Sequence, residues 1–212
     1  MMIKTGSRLT IFPLGGALLF PRSYLPLHIF EPRYRAMVSD ALARDRRIAM
    51  IQPRPGEAGE HPALFDVGCV GRIDSVEALE DGRFNLVLEG VARFRMLREI
   101  DAPTPFRQIE ASFDGFADGE DDEQAALASA MRADLEEEAR AFAEAHGYIV
   151  DWDGVERLDD EALVNGIAQI APFDIAAKQA LLEAPDVTAR ADLLIQFLRF
   201  FGAGDGGDAT LQ

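Results

Sequence analysis

Leu25-Pro26-Leu27-His28-Ile29-Phe30-Glu31-Pro32-Arg33-Tyr34-Arg35 is the stretch in which one periodicity gives way to another. Leu25, Leu27 and Ile29 alternate with Pro26, His28 and Phe30, which predicts a short strand with Pro26 at its edge or beginning. At Glu31 the period changes. Pro32 suits a first helical position, where no N–H is needed, and Glu31 places negative charge at the positive end of the helix dipole. Tyr34, Met37, Val38, Ala41 and Leu42 then recur at helical spacing, predicting a helix over residues 32–44. Glu31 and Arg35 stand four apart and are expected to pair on its exposed face.

Outward from this stretch, the first half reads as mainly β. Leu9–Pro13 and Ala17–Phe20 are short apolar segments separated by Gly15-Gly16, and Ile48–Ile51 is another. A long exposed loop is expected from Pro53 to Pro62. The clearest hairpin lies between Gly71 and Gly90, with Asp81-Gly82 as a two-residue turn and Phe84, Leu86 and Leu88 on one face. Val91–Ile100 continues as a strand whose Arg93, Arg95 and Arg98 predict a partly exposed position. Ile109, Ala111 and Phe113 alternate once more. The acidic run from Asp118 to Glu123 then separates period 2 from period 3.6. Four helices follow: one over 123–146 with Gly147 as its cap, one capped by Asp159 or Asp160, one capped by Asp174, and one starting at Pro185-Asp186. The reading is an α+β chain: a β domain with one helix over residues 1–117, a four-helix carboxy-terminal bundle over 118–201, and a glycine-rich tail over 202–212.

The formal net charge of −16 lies in one half. Residues 1–115 carry 15 Lys or Arg against 15 Asp or Glu, whereas residues 116–212 carry 6 against 22. Such a half repels nucleic acid and anionic membranes over about 8 Å at physiological salt. Cys69 is the single cysteine; it can form no intramolecular disulfide or cysteine metal cluster, and it reads as a small buried hydrophobe in a reducing cytoplasm. Lys4 and Arg8 ahead of the apolar run 11–21 mimic a secretory signal, but Pro13 and Gly15-Gly16 interrupt it and no small-x-small site follows. Nothing approaches the roughly 20 apolar residues that span a membrane.

The stretch from Leu25 to Arg35 resembles the signature of the amino-terminal domain of Lon proteases. Around it, in the family's order, stand Phe12-Pro13-Leu14, Leu19-Phe20-Pro21, Val67-Gly68-Cys69-Val70-Gly71-Arg72-Ile73, Asp81-Gly82-Arg83-Phe84-Asn85-Leu86 and Gly90-Val91-Ala92-Arg93-Phe94-Arg95. The helical half matches more loosely, best at Lys178–Glu183 and Arg190. The resemblance implies a PUA-like β pseudo-barrel followed by a helical subdomain, and a role in recognising protein substrates. It does not imply the family's ATPase or protease. There is no G-x-x-x-x-G-K-[ST] loop, the only lysines are Lys4 and Lys178, and neither offers a Ser–Lys dyad.

No other catalytic or cofactor pattern stands out. His28, His61 and His146 lack metal-ligand spacing, and Glu136-Glu137-Glu138 and Asp159-Asp160-Glu161 radiate in different directions as consecutive helical residues. The expected partner is an unfolded protein or peptide segment, held by Tyr24, Arg33, Arg35 and Trp152 in a groove between the two parts. Trp152 also reads as a loop anchor between the first two bundle helices. RNA binding, as in other PUA-like folds, is the alternative; the acidic second half and the missing aromatic–basic stripe count against it. A small-molecule enzyme site between the subdomains is the third reading.

Overall fold

The computed structural model describes residues 6–56, 61–116 and 126–203, in two compact units, Met1–Asp122 and Glu123–Gln212. Among its described residues the first unit holds six strands and one helix: β1 (Ser7–Pro13), β2 (Tyr24–Ile29), α1 (Pro32–Ala43), β3 (Arg47–Pro53), β4 (Leu64–Ala78), β5 (Phe84–Ile100) and β6 (Gln108–Ser112). The sheet order is β2-β5-β4-β3-β1-β6, and β6 also pairs with β5, so five strands close on themselves. β2 lies outside this ring and, among the described residues, pairs with β5 alone. Closure removes the exposed edges of the other strands. The ring is filled from alternate positions: Ile11, Ile51, Leu64, Val70, Phe94 and Ile109 form one buried cluster. Cys69 is buried beside it as a small apolar residue.

α1 follows β2 through Glu31, with Pro32 at its first turn, and buries Tyr34, Met37, Val38 and Ala41. The 84–100 strand is longer than local patterning suggests, because it pairs with β2, β4 and β6 in succession. The β4–β5 connection corrects the two-residue turn. Leu79 accepts from the Gly82 N–H at 2.9 Å and donates to Arg83 at 2.9 Å, so three residues form the loop, with Gly82 at φ +78°. That is a turn closed by a left-handed residue, the geometry of a three-residue hairpin loop. Arg93 corrects the expectation of a partly exposed position: it is buried, with its guanidinium 4.6 Å over the Phe116 ring. Ala17–Phe20 forms no strand, but Leu18, Leu19 and Phe20 are all buried.

The second unit contains α2 (Ser129–Ala145), α3 (Trp152–Val155), α4 (Asp160–Ile170), α5 (Ile175–Glu183) and α6 (Val187–Ala203). The four expected helices are all present, and a single turn, α3, is added at Trp152 in the connection between α2 and α4. Local chemistry sets their starts: Asp159 and Asp174 accept from the N–H groups of Ala162 and Ala177, each at 2.7 Å, and Asp186 from Ala189 at 2.8 Å. Gly147, at φ +70°, lets the chain turn off the end of α2. α2 starts later than its sequence period suggests. The Leu127 N–H is taken instead by the Asp160 carboxylate at 2.7 Å, which also receives Arg132 at 2.6 Å.

Asp160 therefore ties the approach to α2 onto α4, and the Leu127 N–H, followed by Arg132, holds its carboxyl below the usual carboxylate range. A carboxylate favoured in the folded state contributes stability that is present above its unfolded pKa of about 3.9 and is lost as pH falls through the folded value. Asp160→Asn should cost about 2 kcal/mol at neutral pH and flatten the loss of stability below about pH 4. Urea unfolding of both proteins across that range measures the difference. A variant curve parallel to wild type would remove Asp160 from the account.

Candidate functional site

The first unit carries three of the four residues expected to meet a partner. Tyr24 opens β2 opposite Glu89 of β5 and is 57% exposed. Pro26, His28 and Phe30 are exposed at the following alternate positions. This free edge is blunted, since Pro26 has no N–H to offer an incoming strand. His28 is partnered, with Nδ1 2.7 Å from the Asn85 Oδ1.

Arg33 and Arg35, two residues apart on α1, point to different neighbours. Arg33 turns back to Glu31, at 3.0 Å, and lies 4.6 Å over the ring of Tyr34. Glu31 thus pairs two residues on, with Arg33, where Arg35 was expected. Arg35 sits beside the hairpin turn: a methyl group added to Gly82 would lie 2.0 Å from its guanidinium. Arg33 and Tyr34 line a mixed polar and apolar cleft of about 660 Å³ together with Arg107 and Glu99. Arg107 is committed there, donating from two nitrogens to Glu99 at 2.7 Å each and from the third to the Pro62 carbonyl at 3.0 Å. That pairing holds the Glu99 carboxyl below its ordinary range, while burial raises the pKa of Tyr34. The cleft is close to charge-balanced and its strongest donor is occupied.

The second unit carries Trp152, at the first position of α3. Asp151 accepts from the Gly154 N–H at 3.1 Å and so fixes the turn. The Arg140 guanidinium lies 4.4 Å over the indole and is held by Glu156 at 3.2 Å. One face of Trp152 is thereby covered, and the residue is half-buried. Trp152 lines an apolar groove of about 310 Å³ within this unit, with Phe142, Tyr148, Ile149, Ile170 and Leu198. Two of these lining residues stack on His146 at the end of α2, Phe142 at 4.1 Å and Tyr148 at 6.0 Å. Ile149 is fully exposed and Ile170 is 79% exposed.

Sequence reasoning found Trp152 but missed the groove around it, because its lining comes from four helices and the loop after α2. The available signal was the run Tyr148-Ile149-Val150, three apolar residues directly after a glycine cap. Among the described residues there is no group of three His, Cys, Asp or Glu side chains that could hold a metal ion. Lys178 is buried with its Nζ donating to the Gln169 carbonyl at 2.9 Å, and that burial lowers its pKa. No helix among the described residues is long and apolar enough to cross a membrane.

Comparison with known proteins matches residues 8–199 to the family described as the ATP-dependent protease La (LON) substrate-binding domain. Lon protease 2 of Myxococcus xanthus is 29% identical over 195 residues, and Lon protease of Salinispora arenicola is 31% identical over 198. Each alignment covers 90% of this chain and 23% of the relative, so the chain spans about a quarter of the length of these proteins. In fold, the chain is similar to a Lon N-terminal domain protein from Xanthomonas campestris, with a TM-score of 0.66 at 21% identity over 90% of this chain and 98% of that one. The N-terminal domain of a Mycobacterium avium complex Lon protease gives 0.63 at 18% identity, over 91% and 98%.

Proposed function

Because the chain belongs to the family of ATP-dependent protease La (Lon) substrate-binding domains, we propose that it is a non-enzymatic module that binds unfolded protein or peptide segments and serves as an adaptor in protein quality control. The observation that carries the reading is the match itself, which runs through both units from residue 8 to residue 199. One exposed aromatic residue and one half-buried at the rim of an apolar groove support it. Tyr24 on the first unit and Trp152 on the second are suited to anchor a partner, since large rigid aromatics contribute most per residue at protein interfaces. Arg33 and Arg35 add polar contacts on the first unit. The cytoplasm, where misfolded chains and their proteases meet, is the compartment in which such a module acts.

The test is capture of a permanently unfolded, reduced and carboxymethylated protein, set against its native form, followed by fluorescence anisotropy. Wild type should bind the unfolded form and ignore the native one. Tyr24→Ala combined with Trp152→Ala should weaken capture by roughly tenfold, or about 1.4 kcal/mol, with the melting curve of the fold retained. Equal affinity for native and unfolded protein would defeat the reading.

A further inference from the structure

We propose that the apolar groove of the second unit is an anchor site for the large apolar side chains of a positively charged polypeptide segment. The proposal rests on the substrate-recognition reading and deepens it by naming a site and a ligand class. Two independent observations meet there.

The first is shape and exposure. The groove, about 310 Å³, is at the small end of the range for ligand sites, with room for one or two large side chains. Its walls are held in place before any partner arrives: Phe142 and Tyr148, both stacked on His146, and Trp152, clamped by Arg140 in a turn that Asp151 caps through the Gly154 N–H. Yet Ile149 and Ile170, which line it, stand in water. Apolar groups kept solvent-exposed around a preformed hollow mark an interaction surface.

The second is charge. The described part of this unit, residues 126–203, carries 15 carboxylates against 6 Lys or Arg. The lining segment from Tyr148 to Val155 contains Asp151 and Asp153 and no cation. Glu144, in the last turn of α2, is exposed just ahead of it. Arg140, whose guanidinium lies over a lining residue, is already engaged by the Trp152 ring and Glu156. A cationic segment is drawn to this field and an acidic one repelled. The same field argues against a second copy of this chain, at net −16, and against residues 204–212, whose charges are Asp205 and Asp208.

The probe is a fluorescein-labelled peptide of Leu, Phe, Lys and Ser, titrated with the full chain by anisotropy. Two controls accompany it, one with every Lys replaced by Glu and one with every Leu and Phe replaced by Ser. The lysine peptide should bind at least about tenfold more tightly than either control and weaken as salt rises to 1 M, where the screening length falls to about 3 Å. Ile149→Ser with Ile170→Ser, both solvent-facing and neutral, should weaken it by about tenfold and leave the circular dichroism melt unchanged. Glu144→Gln with Asp153→Asn should weaken it several-fold and remove most of the salt dependence. Equal binding of the glutamate peptide, or full binding by the isoleucine variant, would overturn the groove assignment while leaving capture of unfolded protein intact. Wild type that captures no unfolded protein at all would overturn both. Altered sedimentation of the isoleucine variant without peptide would assign the groove to self-association instead.

Discussion

Gly90→Ala is expected to destabilise the first unit by about 3 kcal/mol, although it adds a single methyl group. The Cβ would stand 1.9 Å from the Phe20 carbonyl oxygen and 2.7 Å from its carbon. These are backbone atoms, which cannot rotate away as a side chain would. The same glycine donates its N–H to Ser23 at 2.8 Å and accepts from Arg22 at 2.9 Å, so the segment 20–23 is bonded to β5 on the very path the methyl group would take. That segment turns at Pro21, with Arg22 at φ +61°, and delivers the chain into β2. Pushing it outward shifts Tyr24, so capture of unfolded protein should weaken alongside the lowered urea midpoint. Gly166→Ala in α4 is the internal control. Nothing lies within 4 Å of its added methyl group, and a helical alanine should raise stability by about 0.5–1 kcal/mol. Similar effects from the two substitutions would show that close backbone packing at Gly90 is not what holds this corner.

The contrast between these glycines marks what a sequence read alone can yield. Features set by neighbours within a few residues are legible: Pro32 and the alternation of Leu25, Leu27 and Ile29 place β2 and α1, and the Asp159-Asp160 pair and Asp174 place two helix starts. Features set by distant partners are not. Arg93 reads as partly exposed until the ring closes and brings Phe116 over it. Leu127 reads as a helical residue until Asp160, 33 positions away, takes its N–H. Glu31 has two arginines in reach, and the nearer one wins because Arg35 is drawn to the hairpin turn at Gly82. The candidate site divides in the same way. Trp152 stands out as a lone tryptophan between two aspartates, but the groove it lines is assembled from residues 139–198 and is visible only once the helices pack.

Arg190→Ala should cost about 3–5 kcal/mol, a large share of the roughly 5–15 kcal/mol that holds a domain together. Arg190 is 1% exposed on α6; its Nε donates to the Leu181 carbonyl of α5 at 3.0 Å and its Nη1 to the Asn165 Oδ1 of α4 at 2.7 Å. One side chain thus joins three helices. Truncation opens a cavity and strands two buried acceptors at once, and each unsatisfied acceptor costs about 1–3 kcal/mol. Arg190→Met separates these two effects. It refills most of the volume but supplies no donor, so it should recover only part of the loss, about 1–2 kcal/mol. α6 provides Leu198, and α4 provides Ile167 and Ile170, to the groove beside Trp152. Loosening the clamp should therefore weaken binding of the cationic apolar peptide at temperatures where the helices remain folded, and should do so without touching a residue that lines the groove. Full recovery of stability by methionine would mean that Arg190 acts through volume alone; full peptide affinity in the folded alanine variant would mean that the groove keeps its shape without the three-helix tie.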